Sequence, residues 1–574
     1  MKKLLPLMKK YLALAIFSPI FMILEVFGDI LIPYLMSLIV DVGIASQDSN
    51  YIVKIGIYMI LVALLAMIFG VTSSFFGARA GYGFASEIRQ KTFEKIQSFS
   101  FANLDNFSVS SLITRLTNDC NTIGMVTMMS LRMAIRAPFM LIFALIMAFR
   151  INSSLARVFL IALPVLAIVI SLVLMKARPL FLMMQKRVDS VNATIQENLT
   201  AIRVVKSFNR QEFEEAKFKE RNDNLMGTAL KAISLIIILM PAFNVVVYST
   251  IIAVLWFGGQ QISIGSMGGG ELISFITYNT QILMSLMMIS MYFMQLLRGS
   301  ASVTRINEVL STESEITEIQ NPIKIINDNS VSFNNVSFCY PRSNERTLKN
   351  ISFDISSGET LGIIGSTGSS KSTLVQLLPR LYDVSEGSIK VGGVDVRDYD
   401  VEALRDHVAF VLQNNNLFSG TIRENMKWGN ENASDEEIVE ALKKAQAWEF
   451  VSTYDDGLDY IVEQGGDNFS GGQKQRLCIA RALTKSPKII ILDDSTSAVD
   501  MATDAKIQKA FKAELPDITT IIIAQRVASI EHADRIMVLH EGEIESIGNH
   551  EKLIENSPIY REIYESQQKG VISA

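Results

Sequence analysis

Cysteine is scarce, with three in 574 residues, and Cys120, Cys339 and Cys478 are odd in number and far apart. That argues against a disulfide framework, fits no zinc spacing, and suits a reducing compartment. Charge is sparse too, at 19% of residues against 49% apolar, with a formal net charge of -5. There is no basic field for nucleic acid, and the Lys and Arg residues cluster in particular loops rather than along one stripe, so nucleic acid is not an expected partner. A chain this oily is not a typical soluble protein. The opening MKKLLPLMKKYLALAIF has the basic start and apolar run of a signal peptide but no small-residue cleavage site, and reads as an uncleaved first span.

What the chain has in quantity is long apolar runs, near residues 12–40, 55–80, 130–150, 154–176, 230–258 and 272–298. Each is long enough to cross a hydrocarbon core of ~30 Å, which predicts about six membrane helices. Lys2, Lys3, Lys9, Lys10 and the stretches 82–125 and 176–228 hold most of the positive charge of this half, so they are expected in the cytosol, with both chain ends. The loop GGQQISIGSMGGGE then lies outside, as does RINSSLAR despite Arg150 and Arg157. The two internal stretches look helical, so helices are expected to continue beyond the bilayer, where they can touch a soluble domain. Glu25 and Asp29 stand one turn apart in the first span, and Arg132 and Arg136 one turn apart in the third. Such charges either line a polar translocation cavity, pair between helices or sit in the water-exposed extensions. The Met-rich GMVTMMSLRM and LMSLMMISMYFM offer an adaptable apolar surface or ordinary packing.

From about residue 299 the composition turns polar, in RGSASVTRINEVLSTESEITEIQNPIK, and alternating strand-like segments follow, VSFNNVSFCY and SIKVGGVDV. The expected organisation is a membrane domain over 1–300, a linker over 301–326 and an α/β domain over 327–574.

The segment LGIIGSTGSSKSTLVQLL reads as a strand, a Gly/Ser loop and a helix opening at Lys371, Ser372 and Thr373, which is a P-loop. The backbone N–H groups of Gly365, Ser366, Thr367, Gly368, Ser369, Ser370, Lys371 and Ser372 can cradle phosphates with the positive end of the helix. Lys371 can reach β and γ oxygens, and Ser372 can ligate Mg²⁺. Ser370 occupies the position of the pattern's second glycine. Further on, KIIILDDSTSAVD is a buried strand ending in two acids, with Asp493 placed to hold Mg²⁺ through water and Asp494 in the slot of the water-activating carboxylate.

Between them lies NFSGGQKQRL, whose Phe469, Ser470, Gly471, Gly472 and Gln473 resemble the signature loop of ABC ATPases. The resemblance extends to Tyr340 as the adenine-stacking aromatic, Gln413 as the Q-loop glutamine and a Mg²⁺ contact, and Ser497-Ala498-Val499-Asp500 as the D-loop. Gln525 falls at the switch-histidine position. SSLITRLTNDCNTI and ENLTAIRVVKSFNRQ resemble the cytosolic loops of ABC exporters that end in coupling helices, so the likeness spans about residues 10–565.

It implies a multi-pass cell-membrane protein, a six-helix all-α transmembrane domain with cytosolic extensions fused to an α/β ABC ATPase. It implies ATP and Mg²⁺ as cofactors and amphipathic, drug-like cargo moved outward, with lipid or peptide cargo as alternatives. No peptidase-like segment stands ahead of the first span, so bacteriocin processing is not expected, and no filter-like segment favours a channel. The family pairs the P-loop of one half with the signature loop of another, so a second half-transporter is expected. With Asp494 in place of Glu and Gln525 in place of His, the chain resembles the degenerate-site subunit of bacterial heterodimeric multidrug exporters. Its rivals are a non-hydrolysing regulatory subunit and a homodimer.

Overall fold

The computed structural model describes residues 4–572 apart from 318, 342 and 344. It divides into two compact units, residues 1–97 with 109–312 and residues 98–108 with 313–574.

The first unit holds six long helices, Leu5–Ile44, Ser49–Gln97, Val109–Ile151, Ser153–Thr200, Gln211–Ser263 and Gly269–Ser311, each containing one of the apolar runs. Helices are what the lipid allows, because each backbone N–H must find its acceptor within the segment. At 40 to 53 residues they reach roughly 60–80 Å, about two to three times the hydrocarbon thickness, so each extends well past the bilayer. Their outer faces expose large apolar side chains such as Leu160, Ile161, Met175, Ile252 and Trp256. The inner faces pack tightly: Phe159 stacks on Phe275 at 5.5 Å, and the buried Tyr278 hydroxyl donates to the Ile30 carbonyl at 2.7 Å.

Two ends are closed by acceptors from the sequence nearby or far away. Asn152 accepts from Ser154 and Leu155 N–H, starting the fourth helix. Asp41 accepts from Gly270 and Glu271 N–H at 2.6 and 2.8 Å, satisfying the last helix's first turn. The final helix runs to Ser311 rather than stopping near 300. Val303, Ile306 and Val309 keep a helical spacing through the polar segment and are buried.

The four intramembrane charges are partly reconciled among themselves. Arg136 forms ion pairs with both Glu25 and Asp29, the latter at 2.8 Å. The same two acids, with Arg132, Gly70 and Ser74, line a cavity of about 520 Å³. Pairing and cavity lining therefore coexist.

The second unit contains a six-stranded sheet in spatial order Glu543–Gly548, Arg535–His540, Thr360–Ile364, Thr519–Ile523, Ile489–Asp493, Val408–Val411. All neighbours are parallel except the first pair. Strands covered on both faces must be apolar throughout, and IIILD and TTIII are buried at every position. A four-stranded sheet, Leu348–Ile355, Val331–Phe338, Glu386–Val391 and Val394–Asp395, stands beside it in the fold. The short helix Phe101–Asp105, from the middle of the membrane half of the sequence, belongs to this unit. Ser100 caps it in a reciprocal box with Asn103, and Asn103 also donates to the Glu313 carbonyl. The two segments predicted to end in coupling helices both lie in the first unit: SSLITRLTNDCNTI falls at the start of the long helix Val109–Ile151, just after Phe101–Asp105, and ENLTAIRVVKSFNRQ holds the short helix Ile202–Ser207.

Candidate nucleotide site

Parallel strands place their functional loops at one end, and three such loops meet at the carboxyl ends of Thr360–Ile364, Ile489–Asp493 and Thr519–Ile523. Gly365 must be glycine, because a Cβ there would overlap the Leu539 carbonyl. Gly368 has φ +86°, and Ser370, immediately before the helix Lys371–Gln376, has φ +72°. The pattern's second glycine is thus replaced at a left-handed position, where an L-residue costs about 1–2 kcal/mol.

Lys371 Nζ donates to the carbonyls of Gly365 and Ser366 at 2.8 and 2.9 Å, curling the loop around the ammonium. Burial lowers its pKa, against the pull of Asp494 and Asp493. These bonds occupy the cation that a phosphate would claim. Ser372 Oγ donates to Asp493 Oδ1 at 2.9 Å, and burial raises the Asp493 pKa. A hydroxyl and a carboxylate in contact are the hard oxygen donors Mg²⁺ prefers, so Ser372 and Asp493 fit that ion.

Asp494 takes φ +50° and accepts from Gln525 Nε2 at 2.7 Å. Burial raises its pKa, opposed in turn by the Gln525 hydrogen bond, the Lys371 charge and a hydrogen bond from the exposed Gln413. P-loop, Asp493, Asp494, Gln413 and Gln525 therefore form one cluster. Tyr340 joins it from the other sheet, its hydroxyl 3.0 Å from Thr373 Oγ1.

Ser470, Gly471, Gly472 and Gln473 lie elsewhere. Ser470 and Gln473 form a capping box at the start of the helix Gly471–Thr484, and among the described residues no hydrogen bond joins them to the P-loop. A Cβ on Gly472 would stand 2.9 Å from the Ala498 carbonyl, so the signature helix presses on the D-loop. Gln475 fastens the two, donating to Ser497 Oγ and accepting from Ala498 N–H. Asp500 caps the helix Met501–Glu514 through Thr503 N–H, which lowers its pKa.

Tyr382, its partner Asp105 and Gln475 carry no local sequence signal. Tyr382 packs edge-on against Tyr340 at 5.4 Å and against Phe101, and its hydroxyl donates to Asp105 Oδ2 at 2.8 Å. A path of contacts thus runs from the helix Phe101–Asp105 to the aromatic beside the P-loop. Gln475 is the third, hidden behind the signature motif.

The description "ABC transporter transmembrane region" matches residues 15–286, and "ABC transporter" matches residues 348–497. The chain is 39% identical over 567 residues to the uncharacterized ABC transporter ATP-binding protein YfiB of Bacillus subtilis (strain 168), covering 99% of this chain and 98% of that protein. It is 32% identical over 519 residues to the probable multidrug resistance ABC transporter ATP-binding/permease protein YheI of the same organism, covering 90% and 88%. The structure of a bacterial Atm1-family ABC exporter with ATP bound superposes with a TM-score of 0.82 at 25% identity, covering 96% of this chain and 98% of that one.

Proposed function

The chain belongs to the ABC transporter family, as a multi-pass membrane exporter that binds and hydrolyses ATP, and from that premise we propose that it works in a heterodimer whose weaker nucleotide site contains this chain's own P-loop. One observation carries the proposal. The carboxylate expected to activate water, Asp494, is a methylene short and is bonded to the Gln525 amide, which cannot exchange a proton as histidine can. A misplacement near 1 Å can cost about 100-fold in rate.

In this reading the γ-phosphate lies against Lys371 and Gln525, Tyr340 stacks on adenine, and Ser372, Asp493 and Gln413 hold Mg²⁺. Held by those residues, Mg²⁺ would neutralise charge that develops on the phosphate during hydrolysis. The partner's signature loop closes this site, and Ser470-Gly471-Gly472-Gln473, at a helix N-terminus, closes the partner's. The ATPase domain and both chain ends lie in the cytosol, and the cargo is an amphipathic, drug-like compound moved outward. The likeness to YheI, named as a probable multidrug protein, supports that cargo class. A homodimer with Asp494 as a slow base is the second reading, favoured by the burial that raises the Asp494 pKa toward that of a useful base. Photolabelling the turning-over complex with an azido-ATP tests the choice: this chain should retain unhydrolysed nucleotide while its partner releases diphosphate. Equal hydrolysis on both chains would favour the homodimer.

A further inference from the structure

The parallel ladder that supports the switch position ends at Ala524, whose N–H donates to the Ile363 carbonyl at 3.2 Å. Beyond it the backbone of Gln525 to Val527 needs other partners. The Arg526 and Val527 carbonyls accept from the turn that follows, and two further bonds come from the C-terminal helix Pro558–Ile572. Gln567 Nε2 donates to the Gln525 carbonyl at 2.8 Å, and Gln567 Oε1 accepts from Val527 N–H at 2.9 Å. Arg526 between them is extended, at φ -102° and ψ 131°. A side-chain amide therefore makes the two bonds that one residue of a parallel neighbouring strand would make. The helix is seated by the fully buried Tyr560, bonded to His550 Nδ1 at 2.7 Å, and by Ile563 and Tyr564, which pack on the core. Those positions and Gln567 recur at helical spacing on one face, so the seating of the helix sets where the amide lies.

We infer that Gln567 is a positioning residue for the switch side chain: by bracketing the backbone of residues 525–527 it aims Gln525 at Asp494 and toward the terminal phosphate, so the docked C-terminal helix governs discrimination of ATP from ADP at this site. The inference rests on the reading that Gln525 meets the γ-phosphate, the one phosphate that ADP lacks.

The test uses the full chain in lipid nanodiscs with Mg²⁺ and the fluorescent probes mant-ATP and mant-ADP. Gln567→Ala should weaken mant-ATP about tenfold while moving mant-ADP less than twofold, the scale of one or two lost net hydrogen bonds. Gln567→Glu keeps the length and the acceptor but sets a carboxylate against the Gln525 carbonyl, and should shift selectivity the same way. In a Gln525→Ala background, Gln567→Ala should change nothing further. Equal weakening of both probes, or losses that add in that background, overturns the bracket. If Gln525→Ala by itself leaves selectivity unchanged, the γ-phosphate reading of the site fails as well. Should Gln567→Ala lower the thermal unfolding midpoint, Gln567→Asn, too short for both bonds, decides in its place.

Discussion

Gln525 Nε2 donates to Asp494 Oδ2 at 2.7 Å, so the two residues proposed to make this site the weaker one are bonded to each other. They come from the loops after two adjacent parallel strands, paired Ile523 to Asp493. An amide and a short carboxylate suit each other in reach and polarity. Changing one alone leaves its neighbour mismatched, so the pair should behave as a unit.

Asp494→Glu and Gln525→His, made singly, should each leave turnover by this chain's own site within a few-fold of its starting value. Made together, they should raise it about tenfold or more, because a base one methylene longer then meets a side chain able to stabilise the transition state. A double-mutant cycle on single-turnover ATP cleavage measures the coupling. Additive small effects would show that the two positions act independently.

Ser370 stands at φ +72°, the left-handed region where the P-loop pattern has glycine. Ser370→Gly relieves that strain but adds chain entropy to the unfolded state, for a net gain of about 0.5–1 kcal/mol. Thermal unfolding of the nucleotide-free chain should show the increase. A decrease would mean that the serine side chain makes compensating bonds.

The Tyr382 hydroxyl reaches Asp105 while its ring supports Tyr340. Tyr382→Phe keeps both rings in place and removes one hydrogen bond to a carboxylate. ATP affinity should stay within twofold, whereas stimulation of ATPase by transported compounds should fall, because the helix Phe101–Asp105 loses its grip on the adenine side of the site. Tyr340→Ala should instead weaken ATP and ADP alike, by about 1–3 kcal/mol. Loss of ATP affinity in Tyr382→Phe would place the hydroxyl in binding rather than in coupling.

Burial raises the Asp494 pKa above 3.8, so the folded chain binds a proton there more readily than the unfolded chain does. The folded state then pays for an ionised Asp494 at neutral pH and is relieved as pH falls through the raised value toward 3.8. Asp494→Asn should accordingly be the more stable protein at pH 7, and its advantage should shrink on acidification across that window. Melting curves of both proteins from pH 7 to pH 4 check the sign. An advantage that grows with acid would contradict it.

Much of this architecture is written in local pattern. Apolar runs announce the six membrane helices, and the P-loop and the paired aspartates, each a set of particular residues within a few positions of one another, mark loops that the structure brings together. What is not local is not legible. Asp105 and Tyr382 are 277 positions apart, and nothing in LYDVSEG marks its tyrosine as a partner for a helix from the membrane half. Gln567 looks like any polar residue of a terminal helix until its amide is seen beside the strand end. The helical stretch to Ser311 was hidden by polar composition, although Val303, Ile306 and Val309 carry its spacing.

The central claim, that hydrolysis in the assembled transporter runs at the partner's P-loop against this chain's signature loop, is tested by two variants in the purified complex. Asp494→Asn removes the proposed water-activating carboxylate, and Ser470→Arg puts bulk and charge where this account places the partner's γ-phosphate. Steady-state ATPase should remain largely intact in the first and be nearly abolished in the second. Abolition of turnover by Asp494→Asn would contradict the account and assign catalysis to this chain's own site.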